Sequence, residues 1–120
     1  MNFKFKEQNP DPNKRRQEAE KIREKYPDRV PIICEKAPNC KSLNNVDKSK
    51  YLVPNDLTVS QFSFIIRKRL ELSKDAALFL LVSGKHSITG DTSISEIYEK
   101  YSDKDDGFLY ITYTSELTWG

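Results

Sequence analysis

Tyr51-Leu52-Val53-Pro54-Asn55-Asp56-Leu57-Thr58-Val59-Ser60-Gln61-Phe62 is the stretch on which the reading of the fold turns. Its first four residues read as one arm of a hairpin. The other arm is Val30-Pro31-Ile32-Ile33-Cys34, which is short, β-branched and bounded by Pro27 and Pro38, with Pro31 suited to an edge or a strand start. Residues 39–50 between the arms are polar, carry Asn44-Asn45 and read as a loop. Thr58-x-x-Gln61 then forms a capping box, and Leu57 and Phe62 stand at hydrophobic-staple positions. Phe62, Ile65, Ile66 and Leu70 recur at helical spacing, so a helix follows the hairpin directly.

Toward the N-terminus, Asp11-Pro12 is a helix start, because Asp caps free N–H groups and Pro at the first helical position loses no hydrogen bond. A helix is expected over residues 12–26, halted by Pro27, with Ala19, Ile22 and Tyr26 as a narrow buried stripe. Residues 3–8 read as a further turn of helix. Toward the C-terminus, Leu78-Phe79-Leu80-Leu81-Val82 is a continuous apolar run suited to a strand covered on both faces. Residues 83–91 are polar and read as a loop. Ser93-x-x-Glu96 offers a second capping box before Ile94, Ile97 and Tyr98, and residues 108–113 alternate as a last strand. A hairpin, a helix across it and a final strand returning beside the first make an α+β fold in the β-grasp order.

A chain of 120 residues, 37% hydrophobic and 32% charged, fits one folded domain with a modest core and a charged surface. No apolar run approaches the roughly 20 residues of a membrane span, and the start lacks a signal peptide's apolar stretch. The chain is expected in the cytosol. Cys34 and Cys40 lack zinc or redox spacing, and the lone His86 sits in a polar stretch, so no metal, cofactor or cysteine–histidine nucleophile is expected. The protein reads as a non-enzyme.

Residues 1–70 carry 16 Lys/Arg against 9 Asp/Glu, whereas residues 71–120 carry 4 against 9, so one part is +7 and the other −5. A basic half suits an acidic peptide, an anionic membrane or nucleic acid. The plainer reading is that Lys14, Arg15, Arg16, Lys21, Arg23 and Lys25 solvate a helix. Aromatics apart from Tyr26 are absent from that helix, which argues against nucleic-acid binding.

Longer words carry more. Glu20-Lys21-Ile22-Arg23-x-Lys25-Tyr26-Pro27-Asp28-Arg29-Val30-Pro31, Glu35-Lys36-Ala37-Pro38, Lys50-Tyr51-Leu52-Val53-Pro54-x-Asp56-Leu57-Thr58-Val59 and Gln61-Phe62-x-Phe64-Ile65-Ile66-Arg67-Lys68-Arg69 closely resemble the GABARAP and light-chain-3 family, the ubiquitin-like modifiers of autophagy. The resemblance spans nearly the whole chain.

The resemblance implies a ubiquitin-like β-grasp with two additional N-terminal helices: residues 1–27 a helical extension, 28–115 the core and 116–120 a flexible tail. It implies a modifier joined through Gly120 to phosphatidylethanolamine on autophagic membranes, acting in autophagosome formation. The partners implied are activating and thioester-carrying conjugation enzymes, a deconjugating cysteine protease and autophagy receptors. The location implied is cytoplasmic, with a lipid-anchored pool on autophagosomal membranes. A glycine can thread narrow active sites and presents an unhindered carboxylate. Two acyl chains, at about 0.8 kcal/mol per buried methylene, would hold a soluble domain on a bilayer. Phe3 and Phe5, with Lys4 and Lys6, are open to two uses, membrane contact or packing on the domain.

The family also captures peptides with an aromatic residue, two variable residues and an aliphatic one, flanked by acidic residues. The aromatic pocket then resembles Glu18, Ile22, Pro31, Ile33, Lys50, Leu52 and Phe108, and the aliphatic pocket Tyr51, Val53, Pro54, Leu57, Phe62 and Ile65. Arg29, Lys48, Lys50 and Arg69 would meet the acidic flank. Without the resemblance, Ile33, Leu52 and Phe62 read as plain core. The alternatives are an adaptor that is never conjugated and, last, a basic nucleic-acid-binding protein. Loops 39–46 and 84–91 and Trp119 depart from familiar members, which leaves partner preference open.

Overall fold

The computed structural model describes residues 3–117. Among them the elements run α1 (Lys4–Gln8), α2 (Pro12–Lys25), β1 (Arg29–Lys36), β2 (Lys50–Pro54), α3 (Val59–Arg69), β3 (Phe79–Val82), β4 (His86–Ile88), α4 (Ile94–Tyr101) and β5 (Leu109–Thr114). The sheet order is β2-β1-β5-β3-β4. β1 and β5 are parallel and every other pairing is antiparallel, so the last strand does lie beside the first.

Side-chain caps explain three of the helix starts. Gln61 N donates to Thr58 Oγ1 at 3.1 Å and Thr58 N to Gln61 Oε1 at 2.9 Å, which closes the capping box at α3. Asp11 caps α2 by accepting from Asn13 N at 2.9 Å. At α4 only Ser93 acts as a cap, accepting from Glu96 N at 3.3 Å. Pro31 falls inside β1, yet the β5 pairing begins one residue later at Ile32, so its missing N–H removes no ladder bond.

The sheet separates two apolar layers. On one face Val30, Ile32, Tyr51, Val53, Leu80, Val82, Ile111 and Tyr113 pack under Phe62 and Ile66 of α3. On the other, Ile33 and Phe108 pack with Phe5 of α1 and Ala19 of α2, flanked by Phe3, Ile22 and Tyr110. The two N-terminal helices thus cover the sheet face that α3 leaves open.

Two expectations need correction. Residues 83–91 are not all loop, because β4 occupies His86–Ile88. Ser83 (φ 54°) and Gly84 (φ 71°) supply two successive left-handed residues, which make a tight hairpin turn, and only Ile88 of β4 is buried, so the apolar signal is weak. Likewise β3 is not covered on both faces. Leu80 and Val82 are buried under α3 while Phe79 and Leu81 are half-buried, because α1 and α2 reach over β1 and β5 and stop short of β3.

Candidate peptide-binding edge

β2 is a margin of the sheet, paired with β1 on one side. Cys34 N donates to Ser49 O at 2.8 Å and Asn55 N to Asp28 O at 2.9 Å, and bonded pairs alternate along an antiparallel ladder. Hence Tyr51 and Val53 turn their backbone groups toward β1, and Lys50 and Leu52 turn theirs outward. Among the described residues no segment pairs with those outward groups. Pro54 closes the strand, and its carbonyl accepts from Leu57 N at 3.1 Å.

Side chains on a strand alternate between faces, so the same five residues divide. Lys50 and Leu52, opposite Ile33 and Pro31 in register, lie on the α2 side. Tyr51 and Val53, opposite Ile32 and Val30, lie on the α3 side. The two sets of candidate pocket residues therefore occupy opposite faces of one strand.

On the α2 side the structure brings together Ile22, Ile33 and Phe108, with Pro31 and Leu52 on the adjoining ladder positions. Ile33 and Phe108 are fully buried. Phe5 stacks edge-on against Phe108 at 5.1 Å between centroids, and the Lys50 ammonium stands 5.3 Å from the Phe5 ring. Lys50 also pairs with Glu18 of α2 across the surface above this apolar layer. Phe5 is buried and Phe3 packs against Tyr110 at 4.9 Å, so both phenylalanines serve packing.

On the α3 side Tyr51 meets Phe62 edge-on at 5.5 Å, and Leu57 and Ile65 are half-buried against the same cluster. Pro54 is exposed and by register faces the α2 side, apart from Tyr51 and Val53. Burial pushes the Tyr51 phenol above its ordinary pKa, and its hydroxyl is buried with no partner. The Lys48 ammonium lies 5.2 Å and the Arg69 guanidinium 5.7 Å from the Tyr51 ring, and Arg69 also pairs with Asp47 at 3.1 Å. Arg29 stands at the other end of the strand, opposite Pro54 and 5.9 Å from the Tyr26 ring.

Three supports of this edge escaped the sequence reading. Asp106, fully buried, accepts from Arg15 Nε at 2.8 Å and Tyr110 OH at 2.6 Å, which ties α2 to the start of β5. Arg15 is accordingly a buried ion-pair partner and not a solvated surface charge, a correction to the plain reading of that helix. The third is Glu35, whose carboxylate accepts from Lys4 N at 2.8 Å and Phe5 N at 3.0 Å and seats α1 on the sheet. The Arg15–Asp106 and Glu35–α1 contacts join residues far apart in sequence, so no local spacing announces them.

Residues 14–120 match the family described as autophagy protein Atg8, ubiquitin-like. The chain belongs to the Atg8 family. It is 51% identical over 120 residues to autophagy-related protein 8 of Coccidioides immitis, covering all of this chain and 99% of that one. Autophagy-related protein 8 of Aspergillus niger is 50% identical over the same span, with 98% of its length covered. The crystal structure of Trypanosoma brucei ATG8 superposes with a TM-score of 0.86 at 41% identity, covering both chains fully. The chain is thus an autophagy ubiquitin-like protein, and its Atg8 fold is the α+β grasp expected from the residue pattern. Among the described residues no helix is long and apolar enough to cross a membrane, and no cluster of metal-ligating side chains forms. Gly120, the expected conjugation residue, lies outside the described residues, as does Trp119.

Proposed function

We propose that this Atg8-family protein is a modifier joined through Gly120 to the amine of phosphatidylethanolamine, and that it recruits autophagy receptors by pairing their short motifs to β2. One observation carries the peptide reading: Lys50 and Leu52 face one side of the sheet while Tyr51 and Val53 face the other. In an added strand, residues i and i+3 also point to opposite faces, whereas i and i+2 share one. An aromatic-x-x-aliphatic motif fits that division. Main-chain bonds to Lys50 and Leu52 supply affinity, and the two apolar layers read the side chains.

The aromatic residue would enter between Ile22 and Leu52 over Ile33 and Phe108, with the Glu18–Lys50 pair opening to admit it. The aliphatic residue would settle against Tyr51, Val53, Leu57 and Ile65. Lys48 and Arg69 at one end and Arg29 at the other would attract acidic neighbours of the motif, mostly raising the association rate. As a conjugated modifier the protein is the substrate of activating, thioester-carrying and deconjugating enzymes, and acts as no catalyst itself. The lipid-anchored pool then sits on autophagosomal membranes and the rest in the cytoplasm.

Reconstituted lipidation tests the conjugation half. Gly120→Ala is expected to abolish attachment to phosphatidylethanolamine while fold and peptide affinity stay unchanged, and undiminished attachment of that variant would remove the modifier role.

A further inference from the structure

A cavity of about 440 Å³ opens on the sheet face opposite α3, away from β2. Leu81 of β3 with Tyr110 and Thr112 of β5 line it from the sheet, and Phe3 and Lys6, the Ser83-Gly84 turn and residues 101–105 complete its lining. It falls where α1 and α2 stop short of β3. Its volume lies in the ordinary range for small-molecule sites.

Thr112 marks it as more than a gap between elements. The side chain is 2% exposed, and its hydroxyl is buried with no hydrogen-bond partner. A buried hydroxyl without a partner is destabilising, and native proteins keep few of them.

Two of the charges around the cavity, Lys6 and Asp103, answer each other. Lys6 Nζ bonds Asp103 Oδ2 at 2.8 Å and stands 4.6 Å from the Tyr110 ring centroid. The other Asp103 oxygen accepts from Asp105 N at 2.7 Å and Asp106 N at 3.1 Å. Lys104 and Asp105, both exposed, oppose each other in sign at the rim. The charged pair in the wall is thus internally neutral, and the two rim charges sum to zero. The hydroxyls of Ser83, Ser102 and Thr112 can each donate or accept, which suits a ligand whose own groups do both. Half-buried Leu81 offers an apolar surface to the C–H face of a ring, whereas Lys6 already stands over the Tyr110 ring.

We propose that this cavity binds the ring of an uncharged sugar or cyclitol, with Thr112 Oγ1 bonding a ring hydroxyl. The ring comes either as a free saccharide or as the head group of a glycolipid.

Amide NMR titration of the full chain with glucose, galactose and myo-inositol tests this. Shifts are expected at residues 81–85, 102–105 and 110–112, with residues 50–54 unmoved, so the outcome is independent of the peptide edge. Thr112→Val keeps the side-chain shape and removes the hydroxyl. It is expected to weaken binding about fivefold while leaving the melting temperature unchanged or higher, because an orphaned group is lost. Co-sedimentation with phosphatidylcholine vesicles with and without glucosylceramide separates the two sources: capture only by glycolipid vesicles assigns the head group, and sugar shifts without capture assign the free saccharide. The proposal is overturned if no sugar, cyclitol or glycolipid moves these amides. It is equally overturned if Thr112→Val melts lower and binds as before, or if inositol phosphates bind far better than inositol.

Discussion

Lys50 and Tyr51 are consecutive in β2 yet serve opposite faces of the sheet, Lys50 bonded to Glu18 on the α2 side and Tyr51 edge-on against Phe62 on the α3 side. A single extended strand thereby divides two apolar layers and leaves its backbone groups at Lys50 and Leu52 turned outward. Whatever pairs there meets both layers at once.

Motif spacing should therefore matter more than composition. Moving the aliphatic residue of a bound peptide from the third to the second position after the aromatic one points both side chains to one face. One layer is then left empty. Affinity is expected to fall roughly 10- to 100-fold, the equivalent of about 1.5–3 kcal/mol for one unburied aliphatic side chain. Calorimetry on a pair of peptides differing only in spacing measures it; equal affinities would discard the two-face arrangement.

Leu52→Ala and Tyr51→Ala each remove part of one layer, and each is expected to lower affinity about tenfold for an aromatic-x-x-aliphatic peptide. Their effects should be close to additive, because the residues face away from each other. Titration of the two single variants and the double variant checks both magnitude and additivity.

The buried Arg15–Asp106 pair anchors α2, and with it Glu18 and Ile22. Asp106→Ala leaves the Arg15 guanidinium buried without its partner, at an expected cost of about 3–5 kcal/mol in urea unfolding. A smaller companion loss should follow from Tyr110→Phe, which removes one hydrogen bond to Asp106, about 1 kcal/mol. Stability unchanged in Asp106→Ala would mean that α2 is held by its apolar stripe alone.

The two cysteines should separate chemically. Burial pushes the Cys34 thiol far above its ordinary range, so Cys34 should be alkylated only on unfolding. Burial also raises the Cys40 thiol, but hydrogen bonds from the Ser115 and Leu43 backbone outweigh it and bring the pKa down to about 7. The thiolate fraction of Cys40 then grows as pH rises through 7. Mass-resolved iodoacetamide labelling between pH 5 and about 9 is expected to modify Cys40 with a half-maximal rate near pH 7, restrained by its burial. Comparable labelling of both cysteines in the folded protein would contradict this.

Much of this architecture was legible in the chain because its signals are local. Thr58 and Gln61 are three residues apart, Asp11 and Pro12 adjacent, and the apolar runs of β1 and β3 contiguous, so caps and strands could be read directly. What escaped was either short or distant. β4 has three residues and a single buried side chain, and its turn depends on Ser83 taking a left-handed conformation. Arg15 looks like any exposed basic residue on its helix until Asp106, far along the chain, meets it. Glu35 over α1 belongs to the same kind of contact. The split of the candidate site between two faces was implicit in strand alternation, whereas burial of Phe5 beside Phe108 required the tertiary fold.

Amide hydrogen exchange at β2, with and without a saturating aromatic-x-x-aliphatic peptide, tests the pairing itself. Protection is expected to rise sharply at Lys50 and Leu52, whose N–H groups face outward, and to change little at Tyr51 and Val53, already bonded to β1. Exchange at Lys50 and Leu52 left unchanged by a peptide that demonstrably binds would show that no strand is added there.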